Sequence, residues 1–86
     1  MFILELAFDD GPERLAARPA HRELLRRWHD EGKVVMAGPY QDDTGALLIF
    51  DVSSEAELDR LIAADPYYTT TGVNIARRRE WSPVIT

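Results

Sequence analysis

Along the first eight residues, Phe2, Leu4, Leu6 and Phe8 alternate with Met1, Ile3, Glu5 and Ala7. A period of two puts these sets on opposite faces of an extended chain, so Met1 to Phe8 predicts a strand that is apolar on both sides except at Glu5. The cluster Asp9-Asp10-Gly11-Pro12 then turns the chain. Glu13 to Arg18 allows one loose helical turn, and Pro19, whose fixed φ suits the first helical position, predicts the start of a main helix that reaches Glu31 and stops at Gly32. Lys33 to Tyr40 predicts a second strand closing on Gly38-Pro39, and the polar run Gln41 to Gly45 predicts a hairpin to a third, Ala46 to Val52. In that third strand Leu47 and Ile49 oppose Leu48, Phe50 and Val52, again apolar on both faces. Ser54 with Glu57 three residues on has capping-box spacing, and Leu58, Leu61 and Ile62 form the stripe of a second helix that ends near Ala64, before Asp65-Pro66. Val73 to Trp81 predicts a fourth strand, less regular and richer in charge.

The order β-α-β-β-α-β is the ferredoxin-like α+β plan, with both helices on one face of a four-stranded antiparallel sheet. Its other face is bare. Because the first and third strands are apolar on both sides, an uncovered sheet would expose a larger apolar patch than soluble monomers carry, which predicts a homodimer packed sheet against sheet. The 86 residues contain no repeat, low-complexity run or linker, so a single domain over 1–86 is expected. A chain of this length buries only about 60% of its unfolded surface. It has no cysteine for disulfides, so association is the expected reinforcement.

Charge narrows the partners. Fifteen Asp and Glu against ten Lys and Arg, a formal net charge of −5, argue against an affinity built on phosphate neutralisation, so no nucleic-acid partner is expected. Arg77-Arg78-Arg79 falls in a strand, where successive side chains diverge, and reads as a charged rim. No apolar run approaches the roughly 18 residues needed to cross a bilayer, and Met1 to Phe8 lacks the basic region and cleavage site of a secretory leader. The expectation is a cytoplasmic protein with no membrane partner.

On the Pro19 helix, at about 100° per residue, Leu24, Leu25 and Trp28 define the apolar stripe and His21 projects into its middle. The ordinary explanation is a core histidine bonded to backbone. His29, in His29-Asp30-Glu31-Gly32, reads as a helix-end histidine favoured by the C-terminal dipole. Asp65 is unusual, since a carboxylate there meets the negative end of its helix dipole. It either organises a chain reversal through its own side chain before Pro66, or faces a donor on another element, for which His21 is the candidate. A carboxylate on one ring nitrogen would fix the tautomer and leave the other nitrogen to act as general base or acid. There is no phosphate-cradling glycine loop, nucleophile elbow or spaced histidine pair, so neither a metal nor an organic cofactor is expected.

The set Arg18-Pro19-Ala20-His21, Gly32, Ala37-Gly38-Pro39, Ser54-Glu55-Ala56-Glu57 and Ala64-Asp65-Pro66-Tyr67, in this order, resembles the YCII-like (YciI) family of the dimeric α+β barrel group, over nearly the whole chain. The resemblance implies a ferredoxin-like protomer, a homodimer whose sheets pack into a barrel, and an active site around a histidine and an aspartate, here His21 and Asp65. The small hydrophobic residue usual after the family histidine is Arg22 in this sequence. The expected function is a cofactor-independent enzyme that moves a proton on a small organic substrate, a lyase or isomerase step on a hydroxylated or lactone-like ring. His21 would be the general base or acid, Asp65 its orienting partner, and Gly38, Pro39 and Tyr40 the entrance. The alternative is a non-catalytic small-molecule-binding or accessory dimer.

Overall fold

A computed structural model describes all residues, Met1–Thr86. Strand β1 spans Phe2–Phe8, helix α1 Pro12–Asp30, strands β2 and β3 Val34–Pro39 and Gly45–Phe50, helix α2 Glu55–Ala64 and strand β4 Val73–Glu80, with a single 3₁₀ turn at Pro66–Thr69. All neighbouring strands are antiparallel, in the order β2-β3-β1-β4. This is the ferredoxin-like arrangement expected from the sequence. The alternation in β1 decides the faces: Phe2, Leu4 and Leu6 are buried, while Ile3 and Glu5 are partly exposed and Ala7 exposed. The buried set joins Leu48 and Phe50 of β3, Trp28 of α1, and Leu58 and Leu61 of α2 in one core, so both helices cover the same side of the sheet. A fully buried Leu or Phe of this kind stabilises by about 1.5–3 kcal/mol, which fixes the register of β1 against a one-residue slip.

Helix α1 begins earlier than expected. It runs unbroken through 19 residues, with Pro12 in its first turn and Pro19 inside it. A proline there normally costs a hydrogen bond to the carbonyl four residues back, which is that of the exposed Leu15, where water can serve it. The turns before Pro19 are held by distant partners: Arg14 lies 4.4 Å over the Phe8 ring, and both Arg14 and Arg18 bind the Asp43 carboxylate, at 3.2 and 3.1 Å. The far end closes as read. Gly32, at φ 79°, returns its N–H to the His29 carbonyl while Lys33 N–H reaches that of Trp28, a paired C-terminal closure.

Helix α2 is capped by Ser54, whose hydroxyl accepts from Glu57 N–H at 3.2 Å. In β4 a bulge opposite Glu5 and Leu6 leaves Ala76 without a partner, which accounts for its irregular pattern. The arginine run alternates as expected: Arg77 and Arg79 lie opposite Glu5 and Ile3 on the uncovered face, and Arg78 turns under α2 to Asp59 at 2.6 Å. No helix is long and apolar enough to cross a membrane.

Candidate functional site

His21 and Asp65 meet. They are 44 residues apart in sequence, yet His21 Nδ1 lies 2.5 Å from Asp65 Oδ2, with both residues buried. Asp65 is held there because α2 and the 3₁₀ turn share it: it is the last cap of one and the first cap of the other. Its second oxygen, Oδ1, accepts the Tyr67 N–H at 2.9 Å. Both explanations open to Asp65 from sequence therefore hold together, one oxygen organising the local turn and the other reaching α1. Two donors offset the helix-dipole penalty at this end of α2.

The tyrosines that follow fix the ring. Tyr67 stacks on the imidazole at 3.9 Å and 11°, and Tyr68 meets it edge-on at 5.6 Å and 85°. A carboxylate at one edge, a parallel ring on one face and an orthogonal ring beyond leave little rotational freedom. Burial pushes the Tyr68 phenol well above its ordinary range, with the Asp65 charge adding to the effect, so Tyr68 is a neutral wall. Its hydroxyl has no hydrogen-bond partner. With Asp65 accepting from Nδ1–H, the neutral ring carries its proton there and Nε2 is the free acceptor. No other side-chain hydrogen bond engages the ring.

His21 also borders a cleft of about 710 Å³ between α1 and the edge strand β2. Phe8, Ala46, Leu48 and Tyr67 form its apolar floor, Val34 to Pro39 one wall, and Arg18, Arg22, Leu25, Arg26 and His29 of α1 the other. Of the expected site residues, His21, Gly38 and Pro39 line this space, and Asp65 stands behind the histidine. Tyr40 lies elsewhere. Pro39 pairs with Ala46 on the covered side, so the next residue points away, and the Tyr40 hydroxyl donates to Glu5 Oε2 at 3.0 Å. His29 is at the exposed rim, 4.0 Å from Asp30. No group of three or more His, Cys, Asp or Glu is placed to hold a metal ion.

Sequence reasoning missed two pairs of contributors. The roles of Tyr67 and Tyr68 follow from their place directly after Asp65-Pro66, since a turn anchored by Asp65 must carry them past its partner. Arg18 and Arg26 fall four residues either side of Arg22, a helical spacing that was visible in the sequence.

A model of the YCII-related domain matches residues 1–82. The chain is 38% identical to Protein YciI of Escherichia coli O6:H1 (strain CFT073) and to that of Shigella flexneri, in each case over 69% of this chain and 70% of the relative. Among solved structures it is similar to the 5-chloro-2-hydroxyhydroquinone dehydrochlorinase of Burkholderia phenoliruptrix AC1100, in complex with 2,5-dihydroxybenzoquinone. The TM-score is 0.68 at 23% identity, covering 95% of this chain and 94% of that one.

Proposed function

This chain belongs to the YCII-related domain family, and we propose that it is an enzyme of small organic molecules that works by proton transfer through His21, with no resident cofactor, as a cytoplasmic homodimer. One observation carries the reading: a buried imidazole is fixed at Nδ1 by Asp65 and lines a cleft large enough for a single ring compound. In the proposed step Nε2 takes a proton from a substrate carbon. The electron pair of the broken C–H bond becomes a new π bond: in an elimination the leaving group departs with its bonding pair and His21 passes its proton to solvent, and in an isomerisation the adjacent π bond breaks and its pair takes the proton back at the far carbon. Asp65 accepts the Nδ1–H throughout, so the charge gained by the ring is met at once. General bases of this kind contribute roughly 10²–10⁴-fold to rate. The likeness to a dehydrochlorinase supports the elimination branch.

The test is turnover of a panel of hydroxylated and lactone rings, with 5-chloro-2-hydroxyhydroquinone and chloride release as its first member, by the wild type and His21→Gln. Loss of turnover in a folded variant is expected. Binding without turnover by the wild type would instead favour a binding module, and turnover by His21→Gln at the wild-type rate would remove His21 from the reaction.

A further inference from the structure

We propose that the cleft selects anionic substrates, small ring compounds bearing an ionised oxygen acid, and that Arg22 and Arg26 hold the charge. This deepens the reading above and rests on it for the location of the chemistry.

The charged side chains lining the cleft are Arg18, Arg22, Arg26 and Asp30, besides the two histidines. A spacing of four sets the three arginines along one ridge of α1, spanning about 12 Å at 1.5 Å per residue. Arg18 already has its counterion, with both Asp43 oxygens at 3.1 and 3.2 Å from Nη2. Arg22 and Arg26 pair with no carboxylate. Glu23 shares their stretch of surface but bonds neither, and Asp30 lies at the far end beside His29. Like charges four apart on a helix repel each other, so the row is locally unfavourable until an anion joins it. The protein as a whole carries −5, so a cationic wall here is a local feature set against the general charge.

The position suits the chemistry. His21 and Arg22 both line the cleft, so an oxyanion held by Arg22 keeps a small ring in the space that the imidazole borders. Taking a proton from carbon leaves negative charge on the substrate, and the exposed guanidinium groups of Arg22 and Arg26 at the cleft attract that charge as they attract the substrate's own. The apolar floor of Phe8, Ala46 and Leu48 receives the ring itself.

The experiment titrates benzoate and its neutral analogue benzamide into isotope-labelled protein, following the backbone resonances of Val35 and Gly38 and fitting dissociation constants at low and high salt. Benzoate is expected to bind at millimolar concentration, several-fold more tightly than benzamide, and to weaken as salt rises. The double variant Arg22→Gln/Arg26→Gln is expected to weaken benzoate by about 2- to 30-fold, the range for two exposed ion contacts, and to leave benzamide unchanged. Arg27→Gln/Arg60→Gln, with the same change in net charge at two exposed residues that line neither the cleft nor the uncovered sheet face, should leave both ligands as in the wild type. The proposal is overturned if benzamide binds as well as benzoate, if the cleft pair has no more effect than the control pair, or if benzoate moves no cleft resonance. His21→Gln separates the two readings. Anion preference with no turnover by any protein would sink the catalytic reading alone, and His21-dependent turnover of neutral rings without anion preference would sink this one alone.

Discussion

Replacing Asp65 with asparagine changes one oxygen into an amino group and isolates what the carboxylate does for His21. The wild-type side chain accepts two buried hydrogen bonds, from His21 Nδ1–H and from Tyr67 N–H. An amide has only one oxygen to offer, so one donor must face an NH₂. The backbone N–H of Tyr67 cannot move its proton, whereas a neutral imidazole can. The cheaper rearrangement keeps the amide oxygen on Tyr67 and shifts the ring proton from Nδ1 to Nε2. That removes the ring's free acceptor. The lost charge-assisted bond should cost about 1–3 kcal/mol. At roughly 4–8 °C per kcal/mol for a domain of this size, the melting temperature should fall by about 5–20 °C, with the fold retained. Turnover should fall by about 10²–10⁴, far beyond what the loss of stability explains. Long-range nitrogen–proton correlation spectra of the imidazole distinguish the tautomers directly, and a melting curve and a rate on the same sample complete the assay. A variant that keeps its proton on Nδ1, or that turns over within about threefold of wild type, would refute the proposed role of the carboxylate.

Tyr68→Phe removes a buried hydroxyl that has no partner, so stability should hold or rise by up to about 1 kcal/mol in thermal melting, in contrast to most core substitutions. Asp43→Asn should lower the melting temperature at neutral pH. The hydrogen bond from Arg14, and then that from Arg18, hold the Asp43 carboxyl below its ordinary value, so its contribution is present above about pH 4 and fades as acid takes the pH down through the lowered value; the gap between variant and wild type should close there. Asparagine tolerates the positive φ of 58° at this position, so backbone strain does not confound the comparison. Light scattering at micromolar concentration should give the mass of a dimer, since Met36 is 62% exposed beside Ile3, Leu47 and Ile49 on or near the uncovered sheet face; a monomeric mass would overturn the sheet-to-sheet expectation.

The strands and the second helix were legible because their signals are local: the alternation of Phe2, Leu4 and Leu6, and Ser54 set three residues before Glu57, need no distant partner to be read. Pro19 misled because the turns before it are secured by Asp43, a residue 25 and 29 positions from its two arginines, and such tertiary contacts leave no mark on local propensity. The His21–Asp65 pair was legible as a possibility. The plan of the fold sets both helices on one side of the sheet, but only the three-dimensional structure brings Nδ1 against Oδ2. Tyr40 failed as an entrance residue for a reason of parity: one step past Pro39 in an extended chain reverses the side on which a side chain emerges.

The two halves of the proposed catalytic pair, His21 and Asp65, come from a single polypeptide. A copy lacking the imidazole and a copy lacking the carboxylate each spoil their own site, and exchanging whole subunits between them cannot bring the surviving halves together. In a cell carrying both alleles, the two defects would therefore fail to complement, whatever the oligomer, and a mixed assembly of one intact and one damaged chain would keep the output of the intact site alone. The inheritance of the proposed activity is chain by chain.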